Sequence, residues 1–119
     1  GVEGFSHLIV LFYFHRSPPG QFPMKVHPRG RLDLPLVGVL ASRHYSRPCP
    51  IGLTVVSLLE RRGRVLRVQG LDAFDGTPVL DIKPFSPGFD LPPPQEVRVP
   101  DWVHKIQETP YLAQPDVHR

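Results

Sequence analysis

Apolar residues fall in short runs along this chain, and proline, glycine and charge separate the runs. Residues 8–14, Leu-Ile-Val-Leu-Phe-Tyr-Phe, are continuous, β-branched and aromatic. By length and residue type they predict a buried strand. Residues 36–41 predict a second short strand and residues 51–59 a third. Arg61-Arg62-Gly63-Arg64 then reads as a hairpin turn, with Gly63 supplying the positive φ, and residues 65–69 return as a fourth strand. Asp75-Gly76-Thr77-Pro78 is a turn. Residues 79–83 form a fifth strand, closed by Pro84. Alternation along that strand directs Leu80 and Ile82 to the core and Val79, Asp81 and Lys83 to the other face. Residues 17–35 and 42–50 read as loops, the second polar and basic. Beyond Phe85 the composition changes, and residues 87–94 are loop. Asp101 is placed to cap one short helix, residues 102–107, with Trp102, Val103 and Ile106 on one side. Residues 109–119 read as a tail. Short strands at turn-limited spacing, without internal repeats, predict a mainly β fold, a small barrel or sandwich.

Composition sharpens this picture. The chain has 119 residues, enough for one domain and too few for two ordinary ones. With 40% hydrophobic and 21% charged residues it can form a packed core and is not a disordered sequence. The 16 prolines lie between the apolar runs and not inside them, which suits short strands joined by rigid loops. The formal net charge of +3 permits a nucleic-acid partner without demanding one. Arginine far outnumbers lysine; this suits bidentate contacts to phosphate or carboxylate, and codon bias explains it equally well. The single cysteine, Cys49, rules out an internal disulfide and a cysteine zinc cluster and fits a reducing cytoplasm. The run at 8–14 is too short to span a bilayer and does not read as a signal peptide. The chain starts at Gly1 and not at Met, so the native protein is expected to begin upstream.

Three segments hold candidate chemistry. Residues 41–53 contain Arg43, His44 and Arg47 in a loop stiffened by Pro48 and Pro50. Arginines held there suit an anionic or carboxylate-bearing ligand, because little entropy is lost on binding. The alternative is a solvated basic loop. Residues 70–84 place Asp81 and Lys83 side by side on one strand face, where they either meet a ligand together or form a surface ion pair, worth at most ~1 kcal/mol. Phe14-His15-Arg16 ends the first strand. The six histidines show neither a His-x-x-x-His pair nor a cysteine partner, which predicts no metal site. Glycine-rich dinucleotide and phosphate-loop patterns do not occur, which removes those cofactor folds.

In this order the segments resemble one family. The matching pieces are Gly1-x-Glu3-Gly4-Phe5-Ser6-His7, the strand ending in Phe14-His15, and Gly38-Val39 leading into Ala41-Ser42-Arg43. They continue through Arg47-Pro48-x-Pro50-Ile51-Gly52-Leu53, Gly70-Leu71-Asp72, and the string from Asp75 to Pro84. They are similar to the TsaA-like proteins, called TrmO in bacteria, and cover residues 1 to about 90. The resemblance implies a small closed antiparallel β-barrel over residues 1–90, and a proline-rich connection, short helix and tail over 91–119. It implies S-adenosyl-L-methionine as cofactor, tRNA as partner, a homodimer in the cytoplasm, and methylation of N6 of threonylcarbamoyl-adenosine beside the anticodon. It assigns His15, Arg16, Arg43, Leu53, Gly70, Leu71, Asp72 and Ala73 to the cofactor site, and Asp81 and Lys83 to substrate binding or catalysis.

The chain departs from the family in three places. Cys49 stands where the family usually has asparagine, and cysteine donates and accepts hydrogen bonds poorly. Ser42 replaces the usual threonine and keeps the hydroxyl. The family's N-terminal segment, with its Pro-Arg-Gln stretch, would precede Gly1. The competing expectation is a catalytically weakened or inactive barrel that binds nucleic acid or protein.

Overall fold

The computed structural model describes residues 1–17 and 20–108. The tail expected at 109–119 lies outside the described residues. Strand β1 (His7–Tyr13) is apolar on both faces and therefore takes a central place, paired on both edges. One neighbour is β4 (Ile51–Arg62), the other β6 (Val79–Pro84), and β5 (Val65–Gln69) pairs with β4 on its far side. All pairs are antiparallel, and the order across the sheet is β5-β4-β1-β6. A separate ribbon joins β2 (Lys25–Val26) to β3 (Val37–Gly38).

One face of the sheet is the core. Leu8, Val10 and Phe12 of β1, with Phe14 beyond its end and Val56 of β4, form the buried cluster, and Leu58, Leu66, Val68 and Ala73 pack against it. Burying each of the large side chains contributes about 1.5–3 kcal/mol. Gly52 allows this packing. It is buried opposite Phe12, and a β-carbon there would lie 2.5 Å from the Phe12 ring and 2.8 Å from that of Phe14. Gly52→Ala is expected to destabilise the protein by about 1–3 kcal/mol, seen as a lower urea midpoint at unchanged slope. An unchanged midpoint would show that the two rings move aside freely.

The hairpin between β4 and β5 forms as the sequence predicts, with Gly63 at φ 60° and the Arg61 Nε donating to the Gly63 carbonyl at 3.0 Å. Helix α1 (Pro87–Asp90) is a single turn. The predicted short helix is present as α2 (Asp101–Glu108). Asp101 is inside its first turn, and does not cap it; an acid there still suits the positive end of the helix dipole.

Two expectations are corrected. The strand expected at 36–41 shrinks to β3, and the chain turns into a 3₁₀ helix at Val39–Ala41. The Val39 amide still donates to the Met24 carbonyl at 2.9 Å, but Pro23, one residue further, has no amide proton to continue the ladder. Leu80 and Ile82 were expected in the core. The register does set Ile82 opposite Val10, on the core side, yet Ile82 is 40% exposed and Leu80 53%. As an outer strand, β6 is exposed along its whole length, and the register slips between Leu11 and Phe12. The described strands pair as a four-stranded sheet and a two-stranded ribbon, in keeping with the expected mainly β fold.

Candidate functional site

Two of the candidate segments meet the end of β1. The Tyr13 amide donates to the Pro78 carbonyl at 3.0 Å, and the Phe14 amide to the Pro50 carbonyl at 2.8 Å. The chain end bearing His15 and Arg16 is thereby bracketed by the 42–50 loop and the 70–78 loop. Arg16 lies over the Phe74 ring, its guanidinium carbon 4.1 Å from the ring centroid, a cation–π contact that orients the side chain. His15 is exposed beside it.

The 42–50 loop is held from within. Arg47 donates to the Ser42 carbonyl at 2.7 Å and the His44 carbonyl at 3.3 Å. His44 stacks on Tyr45 with ring centroids 4.4 Å apart, and Tyr45 packs edge-on against Phe14. Ser17, a buried polar side chain, donates to the Tyr45 carbonyl at 3.3 Å. Arg47 is therefore committed to its own loop. Arg43, earlier on the same loop, is exposed. Cys49 is exposed there too.

The 70–78 loop leaves the end of β5 through Gly70, whose φ of 98° is a conformation that favours glycine. It crosses the core side of the sheet, where Ala73 packs against the buried cluster. Its turn is pinned by Thr77, whose hydroxyl donates to the Phe74 carbonyl at 2.6 Å. Leu71 is exposed, and Asp72 is half-buried.

Leu53, Asp81 and Lys83 lie elsewhere. Leu53 and Asp81 both sit opposite Leu11, one from each side, and Lys83 sits opposite Ile9. Alternation places these positions on the face opposite the core. The Lys83 ammonium is 2.8 Å from the Asp81 carboxylate, and the Ile82 amide donates to its other oxygen at 2.8 Å. The Lys83 contact first, and the Ile82 amide second, hold the Asp81 carboxyl below the usual carboxylate range. The same pair raises Lys83. A carboxylate so paired is a weaker proton acceptor than a free one. The structure thus brings Arg16 against Phe74 at the far end of β1, leaves Gly70 near the His7 end through the Gln69–Ser57–His7 register, and sets Leu53, Asp81 and Lys83 in adjacent rows of the other face.

Phe74 and Tyr45 were not among the expected site residues. Phe74 follows Ala73 directly within the candidate segment 70–84, but its contact with Arg16 joins segments far apart in sequence. Among the described residues, no group of three His, Cys, Asp or Glu side chains could hold a metal ion, and no helix is long and apolar enough to cross a membrane.

Fold and loop chemistry together define a small, mainly β domain with a basic, loop-built end, a class separate from the doubly wound dinucleotide folds. A family model described as the tRNA-methyltransferase O N-terminal domain matches residues 1–91, and the chain belongs to that family. It is 41% identical over 116 residues to a "Probable S-adenosyl-L-methionine-binding protein" of Pyrococcus abyssi, covering 90% of this chain and 56% of the relative. It is 42% identical over 91 residues to the tRNA (adenine(37)-N6)-methyltransferase of Escherichia coli, covering 73% of this chain and 39% of that enzyme. Among solved structures it is similar to TrmO from Pseudomonas aeruginosa, with a TM-score of 0.61 and 37% identity, covering 82% of this chain and 38% of that one. The chain therefore spans about half, or less, of the length of these relatives.

Proposed function

We propose that this chain carries the catalytic domain, residues 1–90, of an S-adenosyl-L-methionine-dependent methyltransferase acting on N6 of threonylcarbamoyl-adenosine next to the tRNA anticodon. The observation that carries the reading is the family match across residues 1–91, in a chain whose Arg16 lies over Phe74, the residue after Ala73, at the end of β1. The donor set fits the cofactor. An exposed Arg43 suits its carboxylate, Leu53 and Leu71 offer apolar surface, and the glycine-opened backbone at Gly70 allows close approach. His15, Arg16, Asp72 and Ala73 complete the cofactor contacts in this reading.

The bound cofactor supplies an electrophilic methyl group on a sulfonium. The protein aligns the adenine nitrogen with it and excludes water. That nitrogen is a poor nucleophile, since its lone pair is delocalised, and it must lose a proton as the new N–C bond forms. Asp81 accepts that proton. Its pairing with Lys83 lowers its basicity in the free protein. The carboxylate of the threonylcarbamoyl group attracts Lys83, and in doing so restores the basicity of Asp81 when substrate is in place.

The working form in this reading is a cytoplasmic homodimer with a closed barrel. Ile51, Leu53 and Val55 are each more than 40% exposed on the face that carries Asp81 and Lys83, an apolar surface suited to a second copy. Pairing of two copies also offers a way to bring the two separated groups of site residues together. A second reading, a binding module without turnover, is favoured by Cys49 in place of the family's usual asparagine.

Labelled methyl groups from S-adenosyl-L-methionine are expected in tRNA bearing threonylcarbamoyl-adenosine and not in tRNA lacking it. Equal labelling of both would overturn the substrate assignment. Saturable cofactor binding by titration calorimetry without any transfer would establish the binding-module reading.

A further inference from the structure

The β4–β5 hairpin holds the charge surplus of the whole chain. Residues 60–67 contain four arginines, Arg61, Arg62, Arg64 and Arg67, and one glutamate, Glu60; the remaining ten Lys and Arg are balanced by the remaining ten Asp and Glu. The formal charge of +3 therefore sits on one ribbon. Its carboxylates do not absorb it. Glu60 is shared between Arg62 at 3.1 Å and Arg67 at 3.9 Å. Arg61 reaches Glu3, outside the ribbon, at 3.0 Å. Arg64 forms no ion pair or hydrogen bond among the described residues. The side chains of Arg62 and Arg67 are 84% and 67% exposed, so their pairing contributes little to folding. The platform beneath them is ordered: a two-residue turn at Gly63, braced by Arg61, on an antiparallel ladder whose inner side packs Leu58, Leu66 and Val68 against the core.

We propose that Arg62, Arg64 and Arg67 grip the phosphate backbone of the RNA substrate at a distance from the modified base. The inference rests on the reading that tRNA is the substrate. At ~3.3 Å per residue, the five residues of β5 set the hairpin tip roughly 17 Å from Gly70, where the candidate cofactor loop begins. A base delivered to the candidate site would thus bring phosphates several nucleotides away along its strand to the tip. Guanidinium forks bind phosphate bidentately, and such contacts set register and orientation without reading sequence. The exposed, arginine-rich and lysine-free composition of the ribbon fits RNA phosphate.

The test compares the protein with its Arg62→Gln/Arg64→Gln variant for binding to tRNA across a salt series. The variant is expected to bind about tenfold more weakly near physiological salt. Its log–log salt dependence should be shallower by roughly one to two, about one for each phosphate that the removed guanidinium groups had neutralised. Cofactor binding heat and melting temperature should stay unchanged. A Lys25→Gln/Arg98→Gln variant, which removes the same charge from elsewhere on the surface, should bind tRNA like the wild type. Equal weakening by both variants would overturn the proposal in favour of net charge alone. So would unchanged binding by the hairpin variant. A wild-type protein that binds cofactor but no tRNA would overturn the substrate reading itself, and this proposal with it.

Discussion

Asp81→Asn is expected to lower the single-turnover rate of methylation of tRNA bearing threonylcarbamoyl-adenosine by about 10²–10⁴-fold, with cofactor affinity nearly unchanged. The substitution keeps shape and volume and removes only the charge that, in the proposed mechanism, accepts the N6 proton. Stability should change little, because Asp81 is exposed and its partner Lys83 is exposed too. Lys83 supplies a second, separable signature. Its ammonium is the first cause of the depressed Asp81 carboxyl. Removing it in Lys83→Met raises the Asp81 pKa, so Asp81 is protonated at higher pH. The acid limb of the pH–rate profile should then move to higher pH, while binding of the modified tRNA weakens and its salt dependence flattens. Wild-type rates for Asp81→Asn would reduce both residues to a surface ion pair.

Arg43→Ala is expected to raise the dissociation constant for S-adenosyl-L-methionine roughly 10- to 100-fold, the loss of a hydrogen bond to a charged group worth about 1.5–3 kcal/mol. The melting temperature should barely move, since Arg43 is exposed. Arg47→Ala is the contrasting case. Arg47 donates to two carbonyls of the same loop, so its removal should lower stability and weaken cofactor binding only indirectly. Calorimetry and thermal melting on the two variants separate the roles. A large stability loss with unaltered binding in Arg43→Ala would make that residue structural.

The two arginines show where sequence reasoning reached its limit. Both sit in a rigid basic loop, and nothing in the spacing says which one turns inward to hold carbonyls and which faces solvent. The contact of Arg16 with Phe74 was likewise hidden, because it depends on the 70–78 loop crossing the core face to the end of β1. The placement of Asp81 and Lys83 beside each other was legible, since alternate residues on one strand share a face.

The local elements were determined by the sequence alone. The run at 8–14 could only be a buried strand, Gly63 marked the hairpin, and the apolar side of residues 102–107 marked a helix, because each depends on short-range sterics and on burial of nearby apolar groups. Tertiary structure decided what depended on distant partners. Ile82 and Leu80 have the residue types of a core strand, yet stay exposed because β6 is an outer strand with no further element over it among the described residues. The β3 pairing ends after Val39, whose amide donates to the Met24 carbonyl, because Pro23 beyond has no amide proton. Alternation sets Leu53, Asp81 and Lys83 on the face away from Ala73, and the pairing order decides that they stand in adjacent rows on either side of β1. Residue pattern reports which side of a strand is apolar; only the packing of the whole chain decides what, if anything, covers it.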